Sequence, residues 1–199
     1  LVTVAAIGAV IVASKLSKIN TVKLDTDKLS VSKEAKKRGS GYLNVALFGV
    51  DSRDNDLDKG TRSDTIMIAS LNKKTMKVKI ASIYRDTLSE QEDGTLNKIN
   101  AAYSYGGPEG ALSVLNKNLD MNIEHYVTVN FNSMIDIVDS VGGIDIDVQE
   151  DEVPYICGYV QEIMKVTGKL SPGVTEPGTQ TLNGVQATAY ARIRYTAGD

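Results

Sequence analysis

Strand-like and helix-like segments alternate along this chain, and the alternation predicts an α/β fold: an α-β-α sandwich around a central mixed β-sheet, preceded by the end of a transmembrane helix. Three observations carry the prediction. Apolar runs at Val45–Val50 and Ile66–Leu71 have the length and composition of sheet strands. Met76–Ile83 follows the second run across the short turn Asn72-Lys73-Lys74-Thr75, which permits only an antiparallel hairpin. Beyond residue 108, apolar side chains recur at helical spacing between further strand segments.

The elements follow in order. Leu1–Ala13 carries no charge. It is shorter than the roughly 20 residues that span a bilayer, and we read residues 1–16 as the tail of a transmembrane helix. Residues 17–40 are polar and lysine-rich, ending Ala-Lys-Lys-Arg-Gly-Ser-Gly, and read as a juxtamembrane spacer. The domain then runs from 41 to 199. Its first strand starts at Tyr42 and, being continuously apolar from Val45 to Val50, is expected to be central and buried on both faces. Thr65–Leu71 and Met76–Ile83 form the hairpin, the latter with one wetter face. Pro108 sits near a helix start, and Ala111, Leu112, Leu115 and Leu119 share a face. Ile123–Asn130 is a strand. Asn130 caps a helix bearing Phe131, Met134, Ile135 and Val138, which Gly142-Gly143 ends. Ile144, Ile146 and Val148 alternate with Asp145, Asp147 and Gln149 as another strand. Residues 150–177 hold three of the four prolines and show no clean period, reading as an excursion or lid. Val185–Arg194 reads as a last helix.

Composition bounds the chemistry. The chain has 199 residues, 42% of them hydrophobic, and a formal net charge of −3. That is enough for a sizeable core and gives no electrostatic reason to bind nucleic acid. Cys157 and His125 are each the single residue of their type, so disulfides, C-x-x-C and histidine-based metal motifs are excluded. Chemistry falls to Asp, Glu, Arg and Lys. No phosphate-binding loop of the G-x-x-x-x-G-K type occurs. Asp54, Asp56 and Asp58 imitate a calcium loop, but Lys59 and Thr65 stand where glycine and a carboxylate are needed. Asp145-Ile146-Asp147 has the form of a sugar-transferase motif, which strand alternation already explains as an outward face.

Charged residues at element ends are more informative. Asp51 and Arg53 close the first apolar run, Arg62 and Asp64 open the second, and Arg85-Asp86 ends the third. Lys98 follows a turn at Asp93-Gly94, and Arg192 and Arg194 lie near the last helix. Arginine forks hold phosphate bidentately and carboxylates hold hard cations, so these residues together indicate a polyanion site with a metal. Arg192 and Arg194 would diverge on a continuing helix and can face one ligand only where the helix ends or where the site wraps around it.

Six blocks in order resemble the LytR–CpsA–Psr family: Leu47-Phe-Gly-Val-Asp-Ser-Arg53, Arg62-Ser-Asp-Thr65, Ser82-Ile-Tyr-Arg-Asp-Thr87, Lys98-Ile-Asn-Ala-Ala-Tyr103 with Gly106-Gly107, Ile137-Val-Asp-Ser-Val-Gly-Gly-Ile144 and Tyr190-Ala-Arg-Ile-Arg194. Two departures stand out. Tyr84 replaces the usual proline, and the downstream Arg-x-x-Arg-Gln block is absent after Gly198-Asp199, so the catalytic domain reads as C-terminally incomplete. The resemblance implies a membrane-anchored, outward-facing phosphotransferase of Gram-positive cell-wall assembly. It would move a glycopolymer such as teichoic acid or capsule from a polyprenyl-pyrophosphate carrier onto peptidoglycan, with Mg²⁺ near the pyrophosphate. By the same resemblance, Asp51 and Asp64 would hold Mg²⁺, and Arg53, Arg85, Lys98, Arg192 and Arg194 would bind pyrophosphate. Asp64 and Arg85 would be the catalytic pair. The apolar faces of Ala111–Leu119 and Phe131–Val138 have two readings: a tunnel for the lipid tail, which the resemblance implies, and ordinary core, the stronger reading for any single residue. A carrier-binding regulator without transfer activity and a pyrophosphate hydrolase are the alternatives.

Overall fold

The computed structural model describes residues 20–51, 57, 60–194 and 196. A 3-10 turn at Thr26–Lys28 leads to α1 (Lys33–Gly39), β1 (Tyr42–Val50), β2 (Ser63–Asn72), β3 (Val78–Ser82), β4 (Leu88–Glu90), β5 (Leu96–Lys98) and α2 (Ala101–Leu119). There follow β6 (His125–Val129), α3 (Phe131–Ser140), β7 (Ile144–Val148), α4 (Val153–Thr167), β8 (Gly178–Leu182) and α5 (Gly184–Tyr190).

The central sheet is mixed, in the order β3-β2-β1-β6. β1 is antiparallel to β2, with Phe48 opposite Ile66, and parallel to β6, with Leu47 opposite Val127. Placing β1 in the middle follows from its apolar run, since strands with neighbours on both sides lose the most water. One face is closed: Ala46, Phe48, Val50, Ile66 and Ile68 pack against Tyr103, Leu112 and Leu115 of α2. Each large apolar side chain buried here contributes about 1.5–3 kcal/mol. The Phe48 and Tyr103 rings meet edge-on, centroids 5.2 Å apart. The opposite face is only half covered, since Leu43, Val45 and Leu47 alternate as partly exposed residues. The expectation of a strand buried on both faces therefore holds for one face only. β3 is exposed along its whole length, not on one face, because it is the sheet edge.

A second core joins Ile135 of α3, Ile156, Val160 and Ile163 of α4, Val185 and Ala189 of α5, and Val148 and Leu182 of the β7–β8 ribbon. Most of the segment expected as an irregular excursion is thus α4, a 15-residue helix. Its apolar stripe, Ile156, Val160 and Ile163, runs at i, i+4 and i+7, and Pro154 sits in its first turn, where the missing N–H costs nothing. Asn130 caps α3 by accepting from Ser133 N at 2.9 Å, as expected.

Part of the segment read as a spacer is built into the body. Leu29 is fully buried in the first core. Asn116 Nδ2 donates to Leu29 O at 2.8 Å, and Arg38 pairs with Asp120 at the end of α2. The helical face Ala111–Leu115 is packed under the closed face of the sheet as core. On α3, Ile135 and Val138 are buried in the same way, while Met134 is exposed. No described helix is long and apolar enough to cross a membrane; residues 1–16 lie outside the described residues.

Candidate functional site

The site forms where the sheet strands end. At the Gly49/Val50 junction the β1–β2 register shifts, so Thr65 opposes Gly49 and Ser63 opposes Val50, leaving Asp64 as the extra residue of a bulge. A bulge re-aims a side chain that regular alternation would have committed to one face. Asp64 is accordingly exposed between buried Ser63 and the rest of the strand. Its Oδ1 accepts from Arg85 Nη1 at 2.6 Å. Arg85 is held from behind, because Asn100 N donates to its carbonyl at 3.2 Å.

Next to this pair, Lys98 Nζ lies 2.8 Å from Asp86 Oδ1. The hydrogen bond from Lys98 holds the Asp86 carboxyl below the usual carboxylate range, and the charges of Lys98, Arg85 and Arg62 act in the same direction. The β4–β5 hairpin delivers Lys98, pairing it with Leu88 across the turn at Asp93-Gly94. Two acids and three bases thus converge at one end of the sheet. Two buried oxygens beside them, Ser63 Oγ and Asn100 Oδ1, have no hydrogen-bond partner among the described residues.

The other expected residues are placed as follows. Asp51 stands exposed one residue past β1, its carbonyl 3.5 Å from Thr61 Oγ1. Arg53 lies outside the described residues. α5 ends at Tyr190, so the condition for Arg192 and Arg194 to leave the helical spiral is met. Arg192 lies over the rings of Phe131 and Tyr159, 5.3 and 5.0 Å from their centroids, and pairs with Glu162 at 3.2 Å. Arg194 donates to the Ile193 carbonyl at 2.7 Å. The structure therefore brings Asp64, Arg85 and Lys98 together and seats Arg192 between α3 and α4. Arg62 and Asp86, which the sequence marked as charges at strand ends without a role of their own, join the cluster. The acids of the Asp145-Ile146-Asp147 motif are engaged across the ribbon by Thr181 and Thr179, at 2.6 and 3.4 Å, as outward strand residues.

Among the described residues no three acidic, histidine or cysteine side chains are placed to form a metal cage. Asp51 and Asp64 at adjoining strand ends do suit Mg²⁺, which commonly takes one or two carboxylates and completes its shell with water and substrate phosphate.

The stretch that carries the six sequence blocks matches a known family. The model of the LytR_cpsA_psr family matches residues 8–199. The chain belongs to this family. Two curated family relatives are named polyisoprenyl-teichoic acid–peptidoglycan teichoic acid transferases. TagV of Bacillus subtilis (strain 168) is 35% identical over 155 residues, 76% of this chain and 37% of that protein. TagU of Bacillus cereus (strain ATCC 14579) is 39% identical over 169 residues, 82% of this chain and 48% of that protein. The chain thus spans less than half the length of these relatives. Among solved family structures, YwtF (TagT) with bound octaprenyl pyrophosphate lipid superposes with a TM-score of 0.59 at 26% identity, over 88% of this chain and 61% of that one. The mixed α/β fold with its central mixed sheet is therefore the family's fold.

Proposed function

We propose that this chain carries the pyrophosphate site of a membrane-anchored phosphotransferase, facing outward, that moves an anionic glycopolymer from a polyprenyl-pyrophosphate carrier to a peptidoglycan hydroxyl. The observation that carries the reading is the cluster of Arg62, Asp64, Arg85, Asp86 and Lys98 at the end of a sheet whose adjacent face is half covered and apolar. A lipid pyrophosphate needs both features, fixed cations for the head and an apolar surface for the tail. The transferase names of the relatives and the lipid in the YwtF (TagT) structure support the reading.

The chain's residues divide the work. Arg85 and Arg62 meet the phosphate oxygens, where a charge-assisted fork fixes both position and orientation. Lys98 adds a third cation, and Asp86, kept ionised, holds it in place. Arg192, Arg194 and Arg53 are assigned to the same anion from the family's motifs. When Arg85 turns to phosphate it releases Asp64, to which we assign the proton of the acceptor hydroxyl. The new bond joins that oxygen to the glycan-side phosphorus, and the phosphoanhydride bond breaks toward the carrier, which leaves as polyprenyl monophosphate. Catalysis of this kind rests on positioning and charge neutralisation. Asp51 is the residue that would hold Mg²⁺, with Asp64 as its second carboxylate until that side chain takes the proton; the ion would supply positive charge beside the phosphates.

The test is incubation of the purified protein with a lipid-pyrophosphate glycan, Mg²⁺ and peptidoglycan fragments. Glycan joined to peptidoglycan through phosphate is the expected product. Free phosphorylated sugar alone would mean a hydrolase, and tight lipid binding without turnover would mean a carrier-binding regulator.

A further inference from the structure

The end of the sheet opposite the site gathers two basic stretches that lie far apart in sequence. Lys33, Lys36, Lys37 and Arg38 belong to α1. Lys73 and Lys74 sit in the β2–β3 turn, followed by Lys77 and by Lys79 on edge strand β3. The two stretches are stitched together by Lys73, whose backbone N donates to Gly41 O at 3.0 Å and whose Nζ donates to Ser40 O at 3.3 Å. Lys36 is paired with Glu124 and Arg38 with Asp120. Lys33, Lys37, Lys74, Lys77 and Lys79 are exposed and have no acidic partner among the described residues. Since the whole chain is net acidic, at −3, this pole stands in a molecule whose remainder carries the opposite sign.

Apolar groups are set among these charges. Met76, at φ +56° in the turn, is 69% exposed, and Val78 and Ile80 of β3 and Tyr42 of β1 are exposed beside it. A cleft of about 230 Å³, lined in part by Lys36, Tyr42, Lys73 and His125, opens within the patch. Such an edge would be a poor design for water alone, since an exposed strand with protruding methionine, valine and isoleucine invites association.

We infer that this pole docks on an anionic lipid surface, with the lysines at the headgroup phosphates and Met76 and Tyr42 at the acyl boundary. Lysine predominates over arginine here. A flexible point charge suits a diffuse, laterally mobile layer of phosphates, whereas recognition of one fixed polyanion favours the planar guanidinium fork. The mixture of exposed apolar tips with lysine is the pattern of interfacial binding. β1 runs from the pole at Tyr42 to the site at Val50, so the docked domain holds its cluster roughly 26 Å from the headgroups. The inference does not depend on the transfer reaction, because docking needs no lipid-linked glycan.

The test compares binding of the native chain with that of the Lys33→Gln, Lys37→Gln, Lys74→Gln, Lys77→Gln variant to phosphatidylcholine vesicles with and without phosphatidylglycerol. The apolar residues 1–13 are common to both proteins, so the increment due to the anionic lipid isolates the pole. Each lysine is expected to supply roughly a fivefold share of that increment. The variant should lose it, and the native chain should lose it in high salt, with circular dichroism unchanged. A polarity-sensitive probe at Met76→Cys, in a Cys157→Ser background, should report a less polar setting on phosphatidylglycerol vesicles. Equal binding of native and variant chains to the anionic vesicles would overturn the inference. So would a probe that stays in water. Binding of soluble poly(glycerol phosphate) at this pole, with no response to phosphatidylglycerol, would reassign the patch to polymer and likewise overturn it.

Discussion

Asp64 and Arg85, 21 residues apart in sequence, meet at 2.6 Å across two strand ends while each side chain stays 52% exposed. An ion pair that exposed contributes about 0–1 kcal/mol to stability. Folding energy therefore gives little reason for its place at a bulge, and the transfer reaction proposed above supplies one. Arg85→Ala and Asp64→Ala are each expected to lower transfer in an active preparation by two orders of magnitude or more, while the denaturation midpoint moves little. The double variant should cost scarcely more than either single one, because groups acting as a unit are not additive. Initial rates of glycan transfer beside urea denaturation of all three variants check this, and near-native transfer by either single variant would sink the assignment.

Asp86 offers a direct reading of the same electrostatics. Its folded-state pKa lies below the usual carboxylate value because of the hydrogen bond from Lys98. Lys98→Met should move it back up toward that value, which carbon-detected NMR titration of the carboxyl would follow. The sign for stability is fixed by linkage: a depressed acid stabilises the fold above its unfolded pKa, and the contribution fades as pH falls through the folded one. The difference between native and Lys98→Met proteins should therefore be present at neutral pH and vanish in strong acid. A difference that grows on acidification would contradict the pairing.

Much of this was legible from residue pattern, for identifiable reasons. β1, β2 and the hairpin follow from apolar runs cut by a polar turn, and α3 from the Asn130 cap and a regular stripe. Charged residues at strand ends led to Asp64, Arg85 and Lys98. α4 was missed because Pro154, Pro172 and Pro177 suggested irregular chain, although Ile156, Val160 and Ile163 keep helical spacing between them. Other features depend on tertiary context that periodicity does not record. Leu29 lies in a lysine-rich stretch whose composition suits solvent, yet Asn116 and the α2 surface capture it. The bulge that frees Asp64 is a register shift between two strands, and a single strand's pattern holds no record of its partner. Arg192 shows the same limit, since its seat over Phe131 and Tyr159 is set by how three helices pack.

Gly184 tests that packing. It opens α5 against α3, and a Cβ there would stand 2.3 Å from Ile135 O and 2.7 Å from Ile135 Cα. Both are backbone atoms, so no side chain can rotate away. Gly184→Ala should force α3 and α5 apart and cost about 1–3 kcal/mol, read as a lower urea midpoint at unchanged helical content. A midpoint equal to the native one would mean that the two helices are not in this contact in solution.

Asn116 makes the firmest structural prediction, because it is nearly inaccessible, at 1% exposure, and fully used. Its Nδ2 donates to Leu29 O at 2.8 Å and to Ile123 O at 2.9 Å, while its Oδ1 accepts from Ile123 N at 2.7 Å. One side chain thus ties the N-terminal segment, α2 and the approach to β6. Asn116→Leu keeps the branched shape but removes both functions, stranding one buried N–H and two carbonyls. A stranded buried group costs about 1–3 kcal/mol, so a total loss of roughly 3 kcal/mol or more is expected. The loss should also be local in a way that tells it from a general core defect: residues 25–32 should gain amide exchange first, since Leu29 O is their anchor to α2. Exchange that rises uniformly, or not at all in that segment, would show that Leu29 is held by apolar contact alone. In that case Leu29→Ala would loosen the segment where Asn116→Leu does not.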